Sequence, residues 1–113
     1  MCLYIKQKVV EMNWVSVCKV GQVSEDSPFS VKVEDRELGV FKVDDGFYAI
    51  EDICPHAYAL LTQGFVEGRT VECPLHEAIF DIPTGKLESG PGCRNLNTYP
   101  VRVDGDDIQL QLA

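Results

Sequence analysis

Histidine is scarce in this chain: among 113 residues there are two, His56 and His76. Basic residues are also few, ten Lys and Arg against eighteen Asp and Glu, for a formal net charge of −8. That balance speaks against nucleic acid, whose phosphates call for clustered Lys and Arg, and against an anionic membrane surface. It favours a docking partner with a basic patch, although an acidic surface also serves solubility alone. No stretch approaches the length of a membrane-spanning helix. The opening residues, MCLYIKQKVVEMNW, carry no long apolar run, no small-residue cleavage site and no twin-Arg pair, so a cytoplasmic location is expected. In that compartment five cysteines are read as ligands or thiols rather than disulfides. There is no internal repeat, low-complexity tract or linker, and the length suits one domain.

Period-2 alternation dominates what is present. Phe29, Val31 and Val33 alternate with Ser30 and Lys32; Tyr99, Val101 and Val103 with Pro100 and Arg102; Ile108, Leu110 and Leu112 with Gln109 and Gln111. Phe41 and Val43 flank Lys42, and Trp14–Val20 is strand-like. These predict half-buried strands. Asp44-Asp45-Gly46 and Asp104-Gly105-Asp106 predict hairpin connections, with Glu34-Asp35-Arg36-Glu37 a third, less typical turn. The expected class is all-β, a small antiparallel sandwich or barrel. Between Cys54 and Gly92 the pattern changes and Cys, His, Pro and Gly accumulate. Short strands are expected there at Thr70–Cys73 and Ala78–Asp81, and a turn or single helical turn at Leu60–Gly64.

That segment holds both histidines, in the pattern C-x-H-x16-C-x2-H: Cys54-Pro55-His56, then Cys73-Pro74-Leu75-His76. A single Cys or His is usually a packed side chain, but four at this spacing predict a metal centre. Two thiolates and two imidazoles suit a [2Fe–2S] cluster in which two His replace two Cys on one iron. A Cys₂His₂ zinc site has the same ligand set. Zinc fingers usually group Cys with Cys and His with His at separations of two to four. Here each pair is mixed and the first is separated by one residue, which favours the cluster.

These residues, taken together, resemble the Rieske motif. Gly64-Phe65-Val66-Glu67-Gly68, Phe80-Asp81, Thr84-Gly85-Lys86, Ser89-Gly90-Pro91 and Tyr99-Pro100-Val101 extend the resemblance over Trp14 to Leu112. It is strongest to the ferredoxins of bacterial aromatic-ring dioxygenases of the naphthalene, biphenyl and carbazole type. The resemblance implies stacked antiparallel β-sheets with a small cluster-binding subdomain of two loops, about residues 54–92. It implies one [2Fe–2S] cluster held by Cys54 and Cys73 on one iron and His56 and His76 on the other. It also implies a one-electron carrier, not an enzyme, between a flavin-containing ferredoxin reductase and a terminal oxygenase. A monomer is expected. The folded domain is placed at 13–113, with residues 1–12 an N-terminal extension; strand pairing by Leu3–Val10 competes with that reading.

Both histidines are used by the cluster, so a mononuclear 2-His-1-carboxylate iron site has no ligands left. The small Rieske-like subunit of an assimilatory nitrite reductase is the alternative role, and a zinc-stabilised interaction module a third. The extra cysteines with which some Rieske proteins bridge their loops would fall near Ala59 and at Leu75, and are missing. High-potential members present Ser and Tyr hydroxyls where this chain has Ala78 and Phe80, so a low potential is expected. Glu77 stands where many members have Gly. Cys2, Cys18 and Cys93 match no ligand position, and Cys18 is expected in the core.

Overall fold

The strand β3 (Arg36–Val43) contains the run Leu38-Gly39-Val40-Phe41, buried throughout. A strand points successive side chains to opposite faces, so an unbroken buried run means that both faces are covered. The computed structural model, which describes residues 14–44, 46–55, 59–75, 78–90 and 94–112, shows what covers them. Its other strands are β1 (Trp14–Lys19), β2 (Phe29–Val33), β4 (Gly46–Glu51), β5 (Phe65–Glu67), β6 (Thr70–Glu72), β7 (Ile79–Asp81), β8 (Leu87–Ser89), β9 (Thr98–Tyr99), β10 (Val101–Asp104) and β11 (Asp107–Gln111). All pairings are antiparallel, and the described residues contain no α-helix. Three sheets result: β1-β11-β10, β2-β3-β4-β9 and β5-β6-β7-β8.

The second of these is the shared wall. Register places Phe29, Val40, Ala49 and Tyr99 in one row across its four strands. That face packs with Cys18, Ile108 and Leu110 of the β1-β11-β10 sheet in one core. Phe41, Val43 and Ile50 belong to a second core, with Leu61, which precedes β5, and with Val71, Phe80 and Ile82 of the β5–β8 segment. The opposite-face row is Ser30, Gly39, Ile50 and Thr98. The expected stacked antiparallel architecture is therefore present.

Chain order explains how the β5–β8 sheet is carried. The strands β4 and β9 pair with each other, Ala49 opposite Tyr99, and everything between them in sequence leaves and returns at that stem. A Glu51 amide to Asn97 carbonyl bond of 3.0 Å extends the stem.

The turns follow the sequence closely. Gly105 has φ +64° between β10 and β11, a left-handed conformation that costs glycine little. Leu60–Gly64 contains a single 3-10 turn, Leu61–Gln63. The anticipated turn at Glu34–Glu37 is shorter, because Arg36 already pairs with Val33. A positive φ at Glu34 (59°) makes the tight reversal. The segment expected to be a cluster-binding subdomain of two loops contains a four-stranded sheet of its own. The N-terminal extension, residues 1–12, lies outside the described residues.

Candidate metal centre

Two loops built alike carry the predicted cysteines. The first begins where β4 runs out: the Asp52 amide donates to the Glu37 carbonyl at 2.8 Å, and the Leu61 amide donates to the Asp52 carbonyl at 2.6 Å. Ile53 bridges Leu60, and the Cys54 amide donates to the Ala59 carbonyl at 3.0 Å. The second loop joins β6 to β7, and there the Cys73 amide donates to the Ala78 carbonyl at 2.8 Å. Each Cys is thus the first residue of a loop closed at the same separation, and each is followed by a Pro, which presets φ and lacks an N–H.

Both cysteines are 1% exposed and lie in the same apolar cluster, with Leu61, Val71, Ala78 and Phe80. The structure therefore places Cys54 and Cys73 in one buried cluster. His56 and His76 lie outside the described residues. Leu75, just before His76, is 64% exposed, so the second loop reaches solvent between its buried Cys and its His. Cys18 sits in the other core, opposite Ile108, where burial pushes its thiol pKa up. It is core, as its strand context indicated.

Close approaches fix the loops to their surroundings. A β-carbon on Gly64 would lie 2.1 Å from the Glu72 carbonyl oxygen, so only glycine lets the 3-10 turn lie against the strand that leads to Cys73. Gly85, at φ +75°, donates its amide to the Asp81 carbonyl and accepts the Leu96 amide. This ties the chain that returns after β8 to the turn after β7. In the same stretch Arg94 forks onto Glu51, Nη1 to Oε1 at 2.6 Å and Nη2 to Oε2 at 2.9 Å. The Asn97 amide donates to the same carboxylate at 2.6 Å. Burial alone would raise the Glu51 pKa; the Arg94 and Asn97 hydrogen bonds and the Arg94 charge outweigh it and hold it below the usual carboxylate value.

Two buried carboxylates flank the loops, and sequence reasoning missed the first. Asp52 is 0% exposed, two residues before Cys54. It accepts the Ser30 hydroxyl (2.9 Å), the Thr62 hydroxyl (2.8 Å) and the Thr62 amide (2.7 Å). Asp81, at the end of β7, accepts the Thr84 hydroxyl (2.6 Å), the Thr84 amide (3.1 Å) and the Arg69 guanidinium (3.0 Å). Burial would raise the Asp81 pKa; the Thr84 hydroxyl, the Arg69 hydrogen bond, the Thr84 amide and the Arg69 charge together leave it lowered. One aspartate in an acidic chain gives no sequence signal of burial.

Two enclosed thiols in one apolar cluster fit a thiolate-ligated centre, because soft sulfur ligands select iron–sulfur clusters and zinc over hard cations. The family comparison decides between these. The model of the Rieske [2Fe-2S] domain matches residues 13–100. The chain belongs to the Rieske [2Fe-2S] domain family. It is 35% identical to the ferredoxin component of the naphthalene 1,2-dioxygenase system of Pseudomonas aeruginosa, over 89% of this chain and 97% of that protein. The ferredoxin of carbazole 1,9a-dioxygenase from Nocardioides aromaticivorans IC177 superposes with TM-score 0.82 at 32% identity, over 88% of this chain and 98% of that one. A structure of reduced oxygenase with oxidized ferredoxin in carbazole 1,9a-dioxygenase contains a chain matching at TM-score 0.80 and 32% identity, over 87% of this chain and 92% of that one.

Proposed function

We propose that this chain is the one-electron carrier of an aromatic-ring-hydroxylating dioxygenase system, and that Cys54, His56, Cys73 and His76 hold its single Rieske-type [2Fe–2S] cluster. When bound, such a cluster takes up and gives back one electron. The chain's own residues provide the setting. The observation that carries the assignment is the pair of loops closed alike, each starting at a buried Cys in one apolar compartment. Leu61, Val71 and Phe80 wall that compartment from water, which keeps the thiolates from competing solvation. Ala78 and Phe80 bring no hydroxyl to it, consistent with a low potential.

The reading places the chain between an NAD(P)H-dependent flavin reductase and a terminal oxygenase, as a non-catalytic component, in the cytoplasm and without membrane or nucleic acid. The described residues contain no helix long and apolar enough to cross a membrane. Residues 13–113 form the folded unit of this proposal, and 1–12 its extension. A net charge of −8 suits docking on basic surfaces of both partners.

The test is direct. Purified aerobically, the protein should be red-brown, with iron and acid-labile sulfide in the stoichiometry of one [2Fe–2S] cluster, and should give a Rieske-type EPR signal on reduction. With NADH, a flavin reductase and the terminal oxygenase of a naphthalene-type system, it should restore substrate hydroxylation that the other two components lack alone. A colourless protein carrying one zinc overturns the assignment, as does a reduced cluster that the oxygenase cannot oxidise.

A further inference from the structure

We propose that Asp52 positions the loop bearing Cys54 and that its buried negative charge holds the cluster's potential down. The inference rests on Cys54 being a ligand and adds to that reading a residue outside the ligand set. Three features of the structure carry it.

The first is burial with full hydrogen bonding. The side chain is 0% exposed, and three donors converge on its two oxygens, Ser30 Oγ, Thr62 Oγ1 and the Thr62 amide. Those donors come from β2 and from the 3-10 turn after the loop. The carboxylate thereby joins the central sheet to both ends of the segment that carries Cys54. Its backbone does the same, through the bonds to Glu37 and Leu61.

The second is the space made for it. A β-carbon on Gly39 would lie 2.8 Å from the Thr62 methyl and 3.3 Å from an Asp52 oxygen. The glycine in the middle of β3 leaves room for this network on the face that looks toward the β5–β8 sheet.

The third is the missing counter-charge. Among the described residues no Lys or Arg forms an ion pair with Asp52, whereas Asp81, near the other loop, has Arg69. The hydroxyl and amide donors stabilise the carboxylate without neutralising it. The Cα atoms of residues 52 and 54 can be no more than about 7 Å apart. A buried charge two residues along the chain from Cys54, away from solvent screening, disfavours adding an electron to a centre held by Cys54.

Charge and positioning can be separated by substitution. Asp52→Asn keeps the shape: its carbonyl oxygen takes the Thr62 amide, and its NH₂ donates to the two hydroxyls, which can turn to accept. It removes only the charge. Ser30→Ala and Thr62→Val keep the charge and remove one hydroxyl donor each.

Holoprotein of wild type and the three variants would be compared by iron and sulfide content, voltammetry and the rate of iron release to a chelator. Wild type must contain the cluster; if it does not, the ligand assignment fails, independently of Asp52. Asp52→Asn should hold its iron and be reduced about tenfold more favourably, an upward shift of about 59 mV for one electron. Thr62→Val and Ser30→Ala should release iron several-fold faster, with midpoints below wild type. An unmoved midpoint in a cluster-bearing Asp52→Asn overturns the electrostatic role. Wild-type release rates in both hydroxyl variants overturn the positioning role. Should Asp52→Asn not accumulate, Thr62→Val decides: a lowered midpoint, from a carboxylate with one donor fewer, supports the proposal, and an unmoved midpoint refutes it.

Discussion

Ala78 and Phe80 offer the most direct perturbation of the proposed electron-carrying role. They lie on either side of Ile79 at the start of β7, so by strand alternation they share a face. Both are 0% exposed and belong to the apolar cluster that contains Cys54 and Cys73. The Ala78 carbonyl also accepts the Cys73 amide. A hydroxyl added at either position therefore enters the compartment of the thiolates, where no water competes for it. In the double variant Ala78→Ser, Phe80→Tyr each hydroxyl can donate to sulfur. A hydrogen bond to a charged group contributes roughly 1.5–3 kcal/mol. Only the difference between the oxidised and reduced states moves the potential, about 1–2 kcal/mol per bond on that scale. A tenfold change in a one-electron equilibrium is about 59 mV. Two bonds should raise the midpoint by on the order of 100 mV. Acceptance of an electron from the reductase should become easier and delivery to the oxygenase harder, so coupled turnover falls while cluster reduction persists. Voltammetry of both proteins, with a structure of the variant to place the hydroxyls, is the assay. An unshifted midpoint with both hydroxyls against sulfur refutes the reasoning. A wild-type midpoint near the top of the Rieske range, about +300 mV, refutes the oxygenase-relay role itself.

Other consequences are as open to measurement. Gly64→Ala forces a β-carbon into the Glu72 carbonyl and should destabilise the protein by about 1–3 kcal/mol, read as a lower midpoint in urea and faster loss of colour. Because the folded Asp81 pKa is depressed, its contribution is complete above the unfolded value, about pH 4. That contribution is lost as pH falls through the lowered folded value. Asp81→Asn should accordingly flatten the acid limb of a stability profile, and an identical limb would count against the Thr84–Arg69 network. Glu51→Gln weakens the fork to Arg94 and should raise hydrogen exchange around Arg94–Asn97; unchanged exchange there would show that Gly85 alone suffices to hold it.

Where one face of a strand met solvent, the alternation was legible in advance. Phe29–Val33 and Ile108–Leu112 fall on β2 and β11, the latter strand ending at Gln111. The candidate cysteines stood out for a different reason: ligand chemistry demands fixed residue types, and spacing makes their coincidence specific. What escaped was tertiary in origin. The three-residue strands β5 and β8 are too short to show a period, and they exist because β6 and β7 give them partners. Asp52 looks like any acidic residue until Ser30 and Thr62, far from it in sequence, are folded onto it. Gly39 reads as a weak point in a strand, yet its lack of a side chain is what the buried carboxylate requires.

The stem formed by β4 and β9 bears on how such a centre could be moved between proteins. Its two ends lie side by side, Ala49 against Tyr99 and Glu51 against Asn97, so the segment proposed to hold the cluster could be spliced into any sheet with two adjacent antiparallel strands. Its apolar floor, however, is Phe41, Val43 and Ile50 of the host sheet. A graft cut at the stem would leave that floor behind and open the cysteines' apolar cluster on the side of the host sheet. The smallest transplantable unit is therefore β3 through β9, and a chimera carrying it should assemble its cluster where one carrying residues 52–97 alone would not.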